Sequence, residues 1–484
     1  MDPDSERLHL DVLVVGAGIS GITAAYRLQT ECPQKRFWVL EAREAIGGTW
    51  DLFRYPGVRS DSDMYTFGFP FAPWTGEHTM AQGEEIRTYI EETAKRFGLD
   101  RHIRFGHRLL KADWSTSSSA WQVQIQTPHE VLSLSCQYLW MCTGYYDFRQ
   151  GYTPALPGLA HFRGRIVHPQ KWPQELDYTG KRIVVIGSGA TAVTLVPELA
   201  KKAEHVTMIQ RSPGYLANVP TTDPWARRLK RYLPHRVACW LLRWKGILHQ
   251  SFVFQLARRW PERSREFLLS QLRSELGKRQ VQEHFTPRYN PWEQRLCADA
   301  DGEFLSALRT AKASVLTDTI KTFTPEGLVL DSGVEVPADI VVTATGLIVK
   351  IFGTAQLLLD ESPLSPSEHL VYKGTMLSDV PNMWFALGYT NMSWTLKCDL
   401  SARYVCRLLR FMDDRAHKVC TPCVKDPNLK ADRLLDFSSG YLLRAHEILP
   451  KQGSKQPWRL HQSYLHDLVQ TEFGAIRDGV MTFR

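Results

Sequence analysis

Two glycine fingerprints, each placed between an apolar strand and a helical stretch, constrain this 484-residue chain more than any other feature. Residues 8–15 read LHLDVLVV, a short buried strand. GAGISG (Gly16 to Gly21) follows, then a helical segment with Ala24, Ala25 and Leu28 on one face. A second strand, FWVLE, ends at Glu41. This order predicts a dinucleotide-binding βαβ unit. Gly16 allows the tight turn, Gly18 lets the backbone approach a pyrophosphate, and Gly21 lets helix and strand pack closely. The helix N-terminus then offers unpaired N–H groups to the anion, with Ser20 in its first turn. Glu41 suits a ribose with both hydroxyls free, as in FAD.

The pattern returns at Arg182: RIVVIG, then GSGATA (Gly187, Ser188, Gly189, Ala190, Thr191, Ala192), a helix from Val193 onward, and HVTMIQRS. No carboxylate follows this second strand. Arg211 and Ser212 stand there instead, and they would bind the 2′-phosphate that an acid would repel. The second site therefore reads as NADP(H). Two dinucleotides in one chain point to hydride passing from nicotinamide to flavin.

The fold class predicted is α/β: two Rossmann-like dinucleotide-binding domains, for FAD and NADP, with an inserted helical lobe. The expected boundaries are 1–148 for the first part of the FAD domain and 149–341 for the NADP domain, with a helical insertion at about 216–286. Residues 342–484 complete the FAD domain and form a C-terminal tail. Within these, a helix is expected over 84–97 and an antiparallel meander over about 103–142. A Pro- and Gly-rich linker is expected over Tyr152 to Pro173, and a late helix at LSARYVCRLLRFMDD. The strand in ADIVVTATG (Ala338 to Gly346) is read as returning the chain to the first domain.

Composition bounds the remaining classes. At 43% apolar and 23% charged, the chain is an ordinary soluble globular protein. Much of the positive excess behind the net charge of +8 lies between Arg227 and Arg279, interleaved with Trp and Leu. That is a basic amphipathic region and not a nucleic-acid motif. Two readings of it stay open: a cap packed over the active site with its arginines facing water, or a peripheral membrane surface. In the second reading Trp240, Trp244, Phe252, Phe254 and Trp260 lie in a bilayer interface. The nine cysteines are irregularly spaced and no secretion signal is evident, so a reducing, cytoplasmic compartment is expected. No run of about 20 uncharged apolar residues predicts a membrane-spanning helix. No metal site is expected.

Specific motifs narrow the function. GGTWDLFRYPGVRSD (Gly47 to Asp61) resembles the flavin-contacting motif of the Baeyer–Villiger monooxygenases. FRGRIVHPQKWP (Phe162 to Pro173) is similar to that family's fingerprint, FxGxxxHxxxWP, at every fixed position, and it lies between the two nucleotide units. The chain resembles the class B, type I members, and within them the ethionamide-activating branch, through HPQKWP, GSGATAVTLVPELA, YNPWEQRLC and GYTNMSWTLKCD.

The resemblance implies an NADPH-dependent flavin monooxygenase that inserts one oxygen atom of O2 beside a carbonyl, through a C4a-peroxyflavin. It implies a ketone or thioether as the small organic partner, with O2 as co-substrate. It also implies roles: Ser20 and Glu41 at the FAD pyrophosphate and ribose, and Thr49, Trp50 and Asp61 at the flavin end. Leu109 would offer its backbone to the adenine. Arg59, Ser60 and Asp61 would line the nicotinamide side. Gly187 to Val193, Arg211 and Ser212 would bind NADP. Arg295 matches the catalytic arginine. A fixed guanidinium suits that task, since it stays charged while it stabilises a peroxide anion, and Asp61 would orient it. His168, beside Pro169, reads as a hydrogen-bonding hinge, with Phe162 and Trp172 as packing residues.

Three rivals remain at this level. CTPC (Cys420 to Cys423) has the spacing of a redox dithiol, but it lies far from either βαβ unit. A flavin N- or S-oxygenase would oxidise soft nucleophiles without Baeyer–Villiger activity. A non-catalytic nucleotide sensor would keep the glycines and lose Arg295 and Asp61.

Overall fold

The computed structural model describes residues 8–435 and 439–484. The first sheet grows around β1 (His9–Val15), whose apolar side chains are buried on both faces. The chain leaves β1 through the first glycine turn into α1 (Ile19–Glu31) and returns as β2 (Phe37–Leu40), parallel to β1. α2 (Gly83–Arg96) follows, fixed at its start by a reciprocal capping box between Gln82 and Glu85. β3 (Ile103–Arg104), β4 (Arg108–Ser115), β5 (Ala120–Gln126) and β6 (Val131–Met141) come next. β4, β5 and β6 form the expected antiparallel meander, and β6 also runs parallel to β1. Residues 103–104 do not belong to it: β3 pairs parallel with β2 at the far edge.

β7 (Tyr146–Gly151) carries the chain out of this sheet. The second sheet contains β8 (Arg165–Val167), β9 (Arg182–Ile186), β10 (His205–Gln210), β11 (Ala313–Thr317) and β12 (Ile340–Thr343), in the order β11-β10-β9-β12-β8 and parallel throughout. α3 (Ala190–Ala200) connects β9 to β10. Two expectations are corrected here. The stretch Tyr152 to Pro173 is more than a linker, because β8 inside it forms the sheet edge. The strand over 340–343 does not return the chain to the first sheet, because it pairs with β8 and β9 and stays in the second unit past residue 341. Its IVVT run is buried on both faces, as a central parallel strand requires. The return comes next, through β13 (Leu347–Val349), which pairs antiparallel with β7, and then β14 (Gln356–Leu359), which joins β4.

The lobe is helical as expected: α4 (Pro224–Tyr232), α5 (His235–Arg259), α6 (Pro261–Leu276) and α7 (Lys278–His284). One part of its reading fails. Arg243 does not face water; it donates to the carbonyls of Tyr65, Thr66 and Gly68. Those carbonyls end the short helix Met64–Phe67, whose last acceptors would otherwise be unpaired. Burial pushes the Arg243 guanidinium below its usual range. Trp244 packs on Tyr464 and Phe254 on Trp292, so these two are not free for a bilayer either.

The late helix is longer than expected. α8 (Trp394–Asp413) packs along α1 and against α9 (Tyr464–Glu472).

Candidate active site

The two fingerprint turns are built alike. At Gly21 a Cβ would stand 1.8 Å from the Gly16 carbonyl oxygen, and at Gly187 it would stand 2.3 Å from that of Ala344. Gly187 also holds φ +136, which L side chains rarely adopt. Both α1 and α3 begin without a side-chain cap and without an acidic residue in the first turn. Their leading N–H groups are therefore left for an anion. A Cβ on Gly189 would meet nothing within 4 Å, so the second turn opens outward.

A cavity of about 650 Å³ starts at the first turn. Gly16, Gly18, Ser20, Glu41 and Leu109 border it, and so do Thr49, Trp50, Arg59, Ser60, Asp61 and Arg295. Ala190 and Thr191 of the second fingerprint reach the same cavity, whereas Arg211 and Ser212 lie exposed beyond β10. Ser188 Oγ donates to the Ser212 carbonyl at 3.1 Å, which draws the second turn and the end of β10 together. Gln210, between strand and arginine, is structural: its amide donates to His284 O and Thr317 Oγ1.

Glu41 is buried and accepts the backbone N–H groups of Ala17 and Arg43 at 2.8 and 3.0 Å. Desolvation dominates and raises its pKa. The two N–H bonds fix the carboxylate at the turn, on the wall of the cavity. Two cavity-lining arginines carry buried nitrogens without hydrogen-bond partners among the described residues, Arg43 Nη1 and Arg59 Nε. Unmet buried donors of this kind suit an anionic, oxygen-rich ligand such as a dinucleotide. Arg59 Nη1 is held by Glu303 at 2.8 Å, a bridge from the first unit to the second.

Arg295 stands opposite Asp61, Nη2 to Oδ1 3.9 Å. That is an ion pair beyond hydrogen-bonding distance, so the guanidinium's donors are not consumed by the carboxylate. The Asp61 charge outweighs desolvation and raises the Arg295 pKa further. The Arg295 side chain keeps 42% of its surface accessible, and it borders the cavity, which is where that accessibility lies.

Sequence reasoning missed the groups around it. Tyr145, Tyr146 and Tyr441 line the same cavity as Arg295 and interact with its charge. Tyr146 Oη donates to Tyr145 Oη at 2.7 Å, and burial raises the Tyr146 pKa well above its ordinary value. Tyr145 stacks on Trp394, ring centroids 4.7 Å apart, and Trp394 Nε1 donates to Ser20 Oγ at 3.1 Å. Tyr55 is also buried on the cavity wall, its phenol meeting Thr191 and pushed up to about 12 by burial. The signal available for Tyr145 and Tyr146 was their place directly after LWMCTG, at the end of a strand parallel to β1. Ligands in such sheets bind beyond the carboxyl ends of the strands.

His168 joins the two units. Its Nδ1 accepts the Gln170 N–H, so its proton sits on Nε2 and is donated to the Gly346 carbonyl at 3.2 Å. Cys420 and Cys423 form no disulfide. Cys420 is buried and Cys423 Sγ lies on Thr421 O and Thr482 Oγ1; neither borders the cavity. Among the described residues no cluster of His, Cys, Asp and Glu has the makeup of a metal site.

Residues 10–241 match the family model described as flavin-binding monooxygenase-like. The FAD-containing monooxygenase EthA of Mycobacterium tuberculosis is 50% identical over 479 residues, covering 98% of each chain. The probable FAD-binding monooxygenase AlmA of an Acinetobacter species is 44% identical over 477 residues, covering 98% of this chain and 96% of its own. Among solved structures, an oxidised steroid monooxygenase bound to NADP superposes with a TM-score of 0.71 at 26% identity, covering 86% of this chain and 88% of that one. The chain belongs to the flavin-binding monooxygenase-like family, and it is a flavin monooxygenase.

Proposed function

We propose that the chain is a Baeyer–Villiger monooxygenase that uses FAD in the first nucleotide fold and NADPH in the second to convert a small ketone to an ester or lactone. The observation that carries this reading is Arg295 on the wall of the cavity that begins at the first glycine turn, with Trp50 and Asp61 beside it. Relatives named as FAD-containing, and a structural neighbour bound to NADP, support the cofactor pair.

FAD bound here would supply hydride acceptance from the nicotinamide and activation of O2. The chain's own residues do the rest. Gly16, Gly18 and the α1 N-terminus hold a pyrophosphate, and Glu41 receives ribose hydroxyls. Thr49, Trp50 and Asp61 shape the flavin end, Leu109 offers its backbone to the adenine, and Arg59, Ser60 and Asp61 line the nicotinamide side. Gly187 to Val193, with Arg211 and Ser212, hold the phosphorylated nucleotide. Arg295 supplies a permanent positive charge where negative charge develops on oxygen. Asp61 keeps that guanidinium charged and in place without occupying its donors. The nine free thiols fit a reducing cytoplasmic compartment.

The alternative is heteroatom oxidation: a thioether needs a protonated oxidant where a ketone needs an anionic one. The test is incubation with NADPH, a cyclic ketone and ¹⁸O2, with a thioether in parallel. A lactone carrying one labelled oxygen is the expected product. Labelled sulfoxide with no lactone across a ketone panel would assign the chain to the heteroatom oxygenases instead.

The second site carries its own prediction. Arg211→Ala raises the KM for NADPH roughly tenfold, the worth of a charge-assisted hydrogen bond, and leaves the KM for NADH nearly unchanged. Initial rates with each nucleotide check it; equal effects on both would remove Arg211 from the 2′-phosphate.

A further inference from the structure

The lobe has a surface that the cavity does not use. From Pro224 to Pro261 the sequence contains nine Lys or Arg and no Asp or Glu. Among the described residues seven aromatic side chains are exposed, and six of them lie between Trp225 and Phe267; the other is Phe473. A packed cap would bury its large rings and expose its charges. This one shows both.

The central helix explains how. α5 buries Ala238, Cys239, Leu242, Gly246, Ile247 and Ala257 against its own protein. Its outward face carries Val237, Trp240, Leu248, Phe252 and Leu256, with Trp240 58% and Phe252 65% exposed. These positions are spaced by three, eight, four and four residues, about one or two helical turns, so they form one stripe winding along the solvent side. A helix that is apolar on its outer face as well as its inner one has a second apolar environment to meet. No helix among the described residues is long and apolar enough to cross a membrane. The 25 residues of α5 are therefore suited to lie flat. Arg227, Arg228, Arg231, Arg236 and Arg259 remain exposed around this stripe, while Arg243 and Lys245 are held by the protein itself.

We propose that the outer face of α5, with its basic surround, is a docking surface for an anionic lipid bilayer. Trp and Phe enter the interface between headgroup and acyl chain, and the arginines meet lipid phosphates. The absence of acidic residues over the whole stretch is the charge complementarity that selects an anionic surface. The monooxygenase would then work beside a phase in which apolar substrates concentrate.

The test uses the flavin-loaded full chain and vesicles of phosphatidylcholine alone or mixed with phosphatidylglycerol, separated by flotation. The enzyme is expected to float with the anionic vesicles at low salt and to be released as salt rises. Trp240→Ser/Leu248→Ser/Phe252→Ser should lower vesicle partitioning roughly tenfold or more, with thermal midpoint and NADPH oxidation kept. Arg227→Gln/Arg228→Gln/Arg231→Gln should weaken binding to the anionic vesicles only. Failure to float with anionic vesicles at low salt overturns the proposal, as does a triple Ser variant that floats like the parent. Sedimentation velocity covers the remaining occupant: a parent dimer dissolved by the Ser substitutions, with no flotation, assigns the face to a second copy of the chain and overturns the bilayer.

Discussion

Arg295→Ala is expected to lower ester formation roughly 100- to 1,000-fold, the usual cost of losing one fixed electrostatic contact to developing negative charge. NADPH consumption should continue, because both glycine turns, at Gly16 to Gly21 and at Gly187 to Ala192, are untouched. Electrons would then leave as hydrogen peroxide and not as product. The geometry explains why the loss is large. Asp61 approaches Arg295 only to 3.9 Å, so the guanidinium's donors stay available to the cavity it borders. Arg295→Lys should recover little, since an ammonium on a flexible stem does not reproduce a planar fork of donors. The measurement is the ratio of ester to NADPH consumed. An Ala variant with unchanged coupling would remove Arg295 from the chemistry.

Lys397→Met should destabilise the C-terminal half by about 3–5 kcal/mol, because it leaves a buried carboxylate without its cation. Lys397 Nζ lies 2.8 Å from Asp467 Oδ2, and the two side chains are only 5% and 7% exposed. Tyr389 Oη donates to the same carboxylate oxygen at 2.7 Å. The pair is the joint between α8 and α9, one turn beyond Trp394, which borders the cavity. Loss of the joint should lower the thermal midpoint and speed amide hydrogen exchange over Tyr464–Glu472. The double change Lys397→Met/Asp467→Leu should regain most of the loss, because neither charge is then stranded. If the double variant is no better than the single, the cost lies in packing and not in the uncompensated charge.

What the sequence revealed follows the range of the interactions. The two βαβ units are local: glycine turn, helix and second strand lie within a few tens of residues, and each element carries its own periodicity. The motif residues Trp50, Asp61 and Arg295 were legible only through family resemblance, and the structure brings them to one cavity from positions far apart in the chain. The strand over 340–343 was placed in the wrong sheet because an apolar run says that a strand is buried, not which neighbours bury it. Arg243 was read as solvated for a related reason: its carbonyl partners come from residues 65–68, far away in sequence. Tyr441 and Lys397 had no local signature. Their roles arise where the C-terminal half folds back over the first unit.

The chain crosses between its two sheets twice, in β7 and in β13, and these crossings are paired with each other, Leu347 to Gly151 and Val349 to Tyr146. The hydride donor and the hydride acceptor are therefore tethered by one braided strap, with His168 clasped onto it at Gly346. Such a strap resists sliding of one unit past the other, because the pairing holds the two crossings in register. A residue inserted into one crossing would have to be matched in the other.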